Sequence, residues 1–248
     1  MVLSLGLHLS SLDSKRFELV IERMVVTKND TMSDAEVVTL CINSKNDLII
    51  LRAPCQRAQL AHALLSASVF EVIQADTLVY FSKDLTDANS NSNDSNEFEV
   101  RTITILDSKQ VQEVAGAAFK GYVSHYAANP IFSNNKIDEG YIEWAVSCLE
   151  SPNTTVFGAI DDGILVGFIV FRTEDGDAEI VLNAVHPRFQ RRGAYRQLLS
   201  ATSVELQKRD CKSVSISTQI SNQRVINSWI KFGFVLDQSF NTFHLRRR

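Results

Sequence analysis

The sequence has few cysteines, no long apolar run and no secretory signal at its start. Its four cysteines, Cys41, Cys55, Cys148 and Cys211, are widely spaced and form no C-x-x-C pair, so we expect reduced thiols and no metal or disulfide framework. No stretch approaches the roughly 20 apolar residues that a membrane-spanning helix needs. The first residues also lack the basic segment of a secretory signal. We therefore expect a cytoplasmic protein with no membrane partner.

An excess of basic charge is also lacking. The formal net charge is −4, and the three arginines at positions 246–248 form the only basic run, which we interpret as a solvated terminus. Such a chain offers no broad positive field to a polyanion. We expect no nucleic-acid partner.

The chain does contain enough apolar material for two packed cores. It has 248 residues, of which 45% are hydrophobic. The segment from Thr86 to Asn96 reads TDANSNSNDSN, which has no periodicity and too little apolar surface to offset the entropy of ordering. We therefore predict a small N-terminal α/β domain over 1–85, a linker or loop over 86–97, and a larger domain over 98–248.

In the first part, alternating or β-branched runs predict strands over 16–26, 36–42, 48–51 and 77–81. Helical spacing of leucines predicts a helix over 56–67. The larger part begins with a strand over 100–106 and two helices, the first capped by Asp107 or Ser108. Turns at 161–163 and 174–176 then separate three strands of an antiparallel meander, 155–160, 164–172 and 178–185. A helix over 192–208, a strand over 213–218, a helix over 223–232 and two strands, 234–236 and 243–245, complete the pattern.

The segment with the clearest chemistry is AEIVLNAVHPRFQRRGAYRQLL, positions 178–199. It predicts a buried strand that leads into an amphipathic helix through a basic turn. Free N–H groups at a helix start converge on one point and carry partial positive charge. The turn from Gln190 to Tyr195 can therefore hold a pyrophosphate without metal, and Gly193 lets a ligand approach the backbone closely.

These residues resemble the Gcn5-related N-acetyltransferase (GNAT) superfamily, whose signature Q/R-x-x-G-x-G/A binds the pyrophosphate of coenzyme A. Here the signature reads QRRGAY, with Tyr195 in place of the final small residue. The downstream N-x6-W-x-K-x-G-F, from Asn222 to Phe234, strengthens the resemblance. It implies a mixed, mostly antiparallel sheet flanked by helices, with acetyl-CoA or a longer acyl-CoA as co-substrate. The resemblance assigns cofactor binding to Leu182, Asn183, Ala184, Val185, Gln190, Arg191, Arg192, Gly193, Ala194, Tyr195, Asn222 and Trp229.

Three further segments are similar to the subgroup that acylates dTDP-linked amino-deoxysugars, typified by TDP-fucosamine acetyltransferase. They are LDSKRF at 12–17, SHYAANP at 124–130 and ISTQ at 216–219 with Asn222. The similarity implies a role in O-antigen or surface polysaccharide biosynthesis, with Ser124 and Asn129 at the acceptor. Asn129 replaces the usual aspartate of the subgroup, which removes a charge from that wall.

Acyl transfer by direct attack needs a base for the ammonium, an oxyanion donor and a group that assists the leaving thiolate. Glu179 is the first candidate base, His186 the second and His125 the third. The resemblance assigns the oxyanion donor to the backbone N–H of Ala184 or Val185.

The family commonly has its tyrosine acid where this chain has Trp229, so either Tyr126, Tyr195 or a water replaces that acid. Two alternatives to the nucleotide-sugar stay open. The chain acetylates another small amine or a protein N-terminus, or it is a non-catalytic acyl-CoA-binding domain. The resemblance also implies a homodimer, because dimers are frequent among such relatives.

Overall fold

The computed structural model describes residues 6–86 and 97–248, so most of the predicted linker at 86–97 lies outside the described residues. The strands are β1 (His8–Leu9), β2 (Ile21–Val25), β3 (Leu48–Pro54), β4 (Phe70–Asp84), β5 (Glu99–Thr102), β6 (Thr155–Asp161), β7 (Ile164–Glu174), β8 (Asp177–Val185), β9 (Ser213–Gln219) and β10 (Val235–Arg247). The helices are α1 (Ser11–Phe17), α2 (Asp34–Asn43), α3 (Gln59–Ser66), α4 (Ser108–Ala118), α5 (Asn134–Glu150), α6 (Ala194–Lys208) and α7 (Gln223–Phe232). Short 3₁₀ turns lie at Ile105–Asp107, His125–Ala128 and Pro187–Phe189.

Within the described residues, ten strands form one sheet in the order β1-β2-β3-β10-β4-β9-β8-β7-β6-β5. Two neighbouring pairs, β2 with β3 and β8 with β9, are parallel. The other seven are antiparallel. The predicted fold class, a mixed and mostly antiparallel sheet flanked by helices, is confirmed.

The sheet contains the same unit twice. In the first unit, β2 and β3 are parallel strands joined by α2, and α3 leads to β4. In the second unit, β8 and β9 are parallel strands joined by α6, and α7 leads to β10. The last strand of each unit pairs with the middle strand of the other, since β4 pairs with β9 and β10 pairs with β3. The two predicted domains thus share one sheet, and their boundary stays a prediction.

Helices cover both faces of the sheet. On one face, α6 and α7 pack on a core that includes Phe81 and Ile216, and α2 and α3 pack on a second core around Leu51. On the other face, α4 and α5 cover a core around Phe168, and α1 packs through Phe17 on the start of β2 and β3. Apolar side chains that alternate between the two faces along the strands make these contacts with the helices.

Two predicted elements are wrong. Residues 36–42, predicted as a strand, belong to helix α2. Ser33 accepts a hydrogen bond from the N–H of Glu36, whose carboxylate accepts one from the N–H of Ser33, and this capping box favours a helix over the β propensity of its valines. The two predicted strands at 234–236 and 243–245 form the single strand β10, because both of its edges have partners, β3 and β4.

Candidate active site

A cleft opens between the parallel strands β8 and β9. Their pairing runs from Asp177 with Ser213 to Ile180 with Ile216 and ends there. Beyond this point, the segment 182–185 remains paired with β7 on its other side. Separated strands leave backbone N–H and C=O groups free for an extended ligand that adds like a strand. Residues 182–185, to which the resemblance assigns cofactor binding, therefore lie along the open side of this cleft.

The turn after β8, for which the sequence predicts a pyrophosphate cradle, leads into the start of α6. Arg191 and Gly193 have φ angles of 68° and 93°, which expose successive backbone N–H groups. No side chain caps the first turn of α6. Among residues 6–86 and 97–248, a Cβ atom at Gly193 would meet nothing within 4 Å, so these residues leave the space above the turn open. Uncapped N–H groups at a helix start bind anions.

Two neighbouring side chains of this turn behave differently. Gln190 donates from Nε2 to the carbonyl of Val185 (3.2 Å) and accepts from Arg224 (3.2 Å), which fixes the turn to the end of β8. Arg192 instead points away from the cavity described next. Its guanidinium forms salt bridges with Glu97 (3.2 Å) and Asp161 (2.9 Å).

A cavity of about 1190 Å³ extends from this cradle, past the cleft, to α1 and the 3₁₀ turn at His125–Ala128. The predicted site residues that line it are Glu179, Leu182, Asn183, Ala184, Val185, Gln190, Arg191, Gly193, Ala194, Tyr195, Asn222, Trp229, His125 and Tyr126. Four predicted site residues are not among those that line it, namely Arg192, His186, Ser124 and Asn129. We call the part near Gly193 the cofactor end and the part near His125 the acceptor end.

Glu179 lies at the closed end of the cleft, opposite Ser215 in the last paired stretch of β8 and β9. Its carboxylate accepts a hydrogen bond from Nε of Arg172 (2.9 Å) and a second one from Nη2 of the same guanidinium. The two residues face each other across β7 and β8. The ion pair orients the carboxylate at the cavity wall.

His186 does not reach the cavity. Its Nδ1 accepts a hydrogen bond from the N–H of Arg188 (3.2 Å) and so caps the 3₁₀ turn at Pro187–Phe189. The structure gives it a role in shaping the turn.

His125 is buried and forms a pair with His244 of β10, with Nδ1 and Nε2 2.9 Å apart. Burial, aided by the nearby Arg52, Arg23 and His244, lowers the pKa of His125 well below its usual value. Burial and the same two arginines lower the pKa of His244 to about 4, against a smaller opposing effect of Asp13. Both rings are therefore neutral at pH 7, and one donates the hydrogen that the other accepts.

Tyr126 belongs to a polar network with two residues of the N-terminal part. Its hydroxyl donates to Asp13 (2.7 Å) and accepts from Nη2 of Arg23 (2.5 Å). Asp13, 3% exposed, also accepts from Nε of Arg23 and from Ser10, both at 2.6 Å. Burial raises the pKa of Tyr126, and it would raise that of Asp13, but Arg23 and the hydrogen bonds bring the pKa of Asp13 below its usual value. The network joins the segment 12–17 to the segment 124–130, two motif segments that the sequence could not place together.

Ser124 and Asn129 support the loop between these elements. Asn129 is buried, and its side-chain oxygen accepts from the N–H of Ile131 (3.1 Å). Such a local side-chain bond stabilises a turn. Ser124 is also buried, at the start of the 3₁₀ turn.

The sequence did not predict several residues that line the acceptor end. Arg23 and Arg52 project from β2 and β3 on the face that α1 covers, and Arg52 donates to Thr242 (3.3 Å) but forms no salt bridge with any carboxylate of residues 6–86 or 97–248. Tyr141 and Trp144 of α5 add aromatic surface. A charged residue inside an apolar strand, as in LIILRAP, was the signal that could have found Arg52.

Basic side chains outnumber acidic ones along the cavity. Asp13 and Glu179 are its two carboxylates, and each is bound by an arginine. The basic residues that line it are Arg16, Arg23, Arg52, Arg172, Arg191, Arg196, Arg224 and Lys231. A cleft with this balance concentrates anionic ligands.

Two kinds of feature are absent from the described residues. No helix among them has the length and apolar character to cross a membrane. No cluster of three or more histidine, cysteine, aspartate or glutamate side chains in the described ranges could hold a metal ion.

Known proteins match the part of the chain that contains the cleft and the turn at Gly193. Residues 123–234 match the acetyltransferase (GNAT) family model. The chain is 24% identical over 139 residues to the spore coat polysaccharide biosynthesis protein SpsD of Bacillus subtilis (strain 168), a match that covers 56% of this chain and 47% of that protein. It thus spans about half the length of that relative.

Solved structures share the fold. The GCN5-related N-acetyltransferase from Sphaerobacter thermophilus superposes with a TM-score of 0.63 at 14% identity, over 94% of this chain and 74% of that one. The GCN5-related N-acetyltransferase from Kribbella flavida gives 0.56 at 12% identity, over 91% and 81%. Residues 123–234, which contain the turn at Gly193 and the open part of β8, are thus similar to acetyltransferases of the GNAT family.

Proposed function

We propose that the protein transfers an acyl group from acyl-CoA to the amine of a dTDP-linked amino-6-deoxysugar. The cofactor end fits the coenzyme, since an uncapped helix start can hold the pyrophosphate and the open edge of β8 can pair with the amides of the pantetheine arm. When bound, acyl-CoA supplies the thioester that the amine attacks.

The observation that carries the sugar assignment is the chemistry of the acceptor end. A cationic peptide would need an acidic groove, whereas Arg23 and Arg52 line the same cavity as the rings of Tyr126, Tyr141 and Trp144. Guanidinium groups bind phosphate oxygens, and aromatic rings pack against a base or a deoxysugar. The relative SpsD is a spore coat polysaccharide biosynthesis protein, which agrees with a sugar acceptor.

The roles follow from the positions of the side chains. Glu179 is the proposed base, because it faces the cavity at the closed end of the cleft, and Arg172 keeps its carboxylate oriented. The backbone N–H of Ala184 or Val185 is the proposed donor to the carbonyl oxygen as it gains charge. Tyr126 and His125 shape the acceptor end through their hydrogen bonds.

Thiol release tests this proposal directly. Acetyl-CoA and longer acyl-CoAs such as hydroxybutyryl-CoA are each mixed with dTDP-3-amino- and dTDP-4-amino-6-deoxysugars. We expect rapid release with one pair, which identifies both the acyl group and the sugar. Acyl-CoA binding without release across the panel would instead indicate another small amine or a non-catalytic domain.

A homodimer, tested by analytical ultracentrifugation, stays a prediction.

A further inference from the structure

An indole and a phenol form a pair at the closed end of the cleft. Trp229 of α7 is 1% exposed, and its Nε1–H donates to the hydroxyl of Tyr195 of α6 at 2.6 Å. The indole packs edge-on against Phe81, with 5.7 Å between ring centroids. Phe81 pairs with Ile216, and Ile216 with Ile180 is the last pair before the strands separate. The pair therefore lies near the closed end of the cleft, on the face of the sheet that α6 and α7 cover.

The direction of this hydrogen bond is fixed by chemistry. An indole nitrogen can only donate, so the oxygen of Tyr195 must accept. The hydrogen of Tyr195 is thereby left for another acceptor, and none is recorded for it among residues 6–86 and 97–248. Both side chains line the cavity. A phenol is thus held by one bond with its own O–H group free.

We propose that Tyr195 donates its hydroxyl proton to the sulfur that leaves from the thioester, and that Trp229 is the positioning residue for this phenol. The assignment rests on the proposed acyl transfer. The acid is then a phenol in the first turn of α6. Trp229 in α7, whose indole cannot give up a proton, does not have to supply one.

The step balances as follows. The amine nitrogen bonds to the thioester carbonyl carbon, the carbon–sulfur bond breaks, and its electron pair goes to the sulfur. Glu179 takes the proton that the amine loses, and the sulfur takes the proton of Tyr195. The phenolate then regains a proton from water as Glu179 releases one to water. The products are an amide and a free thiol.

The surroundings keep the proton on the phenol until then. Burial raises the pKa of Tyr195, and the bond from Trp229 opposes this rise. The resting phenol is therefore protonated at neutral pH, while the indole N–H stabilises the charge that forms when the proton leaves.

A test that needs no acceptor compares CoA with desulfo-CoA. Calorimetry at pH 7 to 10 gives the affinity ratio of the two, and a phenol that donates to the thiolate should make CoA bind about tenfold more tightly as the thiol ionises. We expect Tyr195→Phe to bring the ratio near one, and Trp229→Phe to lower it partly. Tyr80→Phe, which removes a phenol of β4 that also lines the cavity, should leave the ratio unchanged.

Each outcome is decisive. An unchanged ratio in a folded Tyr195→Phe protein overturns the assignment alone. No binding of either compound to the unaltered protein overturns the acyl-CoA function and the assignment together. A Tyr195→Phe protein with a lower melting temperature but a normal ratio would show that the phenol serves packing only.

Discussion

At the scale of single residues, the buried pair His125 and His244 makes stability depend on pH. The pKa of His244 lies at about 4 in the folded chain, against about 6.5 in an unfolded one. Because the pKa of His244 is lower in the folded chain, the unfolded state binds more protons between about pH 4 and pH 6.5. The contribution of His244 to stability is therefore fully present above about pH 6.5 and is lost as the pH falls. For His244 the loss approaches about 3 kcal/mol near pH 4.

Urea unfolding at pH 7.5 and pH 5 measures this effect. We expect His244→Gln to reduce the loss of stability between these pH values, since a glutamine cannot titrate. His62→Gln is the control, because His62 is exposed on α3. An equal loss in both variants would show that the buried pair does not cause the pH dependence.

Glu179 carries a second prediction at this scale. Glu179→Gln keeps the shape of the side chain but removes the proposed base, so we expect kcat with the cognate amine to fall by about 10²–10⁴. The affinity for acyl-CoA should stay unchanged, because the cradle is built from other residues. Steady-state kinetics with calorimetry separates the two effects.

The matched control for Glu179 is Asp177→Asn. Asp177 lies two residues earlier on β8, where it accepts from Ser213 (2.8 Å) and does not line the cavity. We expect near-normal turnover from this variant. A Glu179→Gln protein that retains full turnover would assign the base to another group.

At the scale of elements, the turn before α6 depends on Gly193. A side chain here meets no clash, yet φ is 93°, which costs an L-residue about 1 kcal/mol. Gly193→Asp also places a negative charge beside the proposed pyrophosphate site. We expect at least about a tenfold loss of acyl-CoA affinity in calorimetry.

Gly176 offers a matched control in the hairpin between β7 and β8. Its φ is 84°, and a Cβ there also meets nothing within 4 Å. Gly176→Asp should therefore cost similar stability without loss of affinity. If both variants lose affinity equally, the effect is one of backbone strain, and the pyrophosphate lies elsewhere.

Elements that are contiguous in the sequence were the most predictable. The cleft edge, the cradle and α7 follow one another along the chain, and their periods and turn residues specify them locally. The helix over 36–42 was missed because its valines favour a strand while the capping box at Ser33 and Glu36 decides for a helix. Arg52 was missed because it joins the site through the pairing of β3 with β10, where it contacts Thr242, 190 residues away. Arg23 was missed because it reaches the site through the pairing of β2 with β3 and its contact with Tyr126, 103 residues away.

At the scale of the whole molecule, the two repeated units differ at the start of their crossing helices. Helix α2 begins with a capping box, so Ser33 and the carboxylate of Glu36 occupy its first turn. Helix α6 begins without a side-chain cap behind Gly193. Pairing of β2 with β3 also continues to Val25 and Arg52, whereas β8 and β9 separate. The second unit therefore has the features of a cofactor site, and the first supplies arginines to the acceptor end.

The exchange of strands between the units predicts how the chain folds. Without residues 1–85, β9 loses its partner β4, and β10 loses both β4 and β3. The core under α6 and α7 also loses Val79 and Phe81. We therefore expect the fragment 98–248 to show no cooperative thermal unfolding by circular dichroism, and to regain it when it is refolded with the fragment 1–85. Cooperative unfolding of 98–248 alone would instead show that this fragment folds despite the unpaired edges of β9 and β10. That result would support the predicted boundary as the boundary of an independent domain.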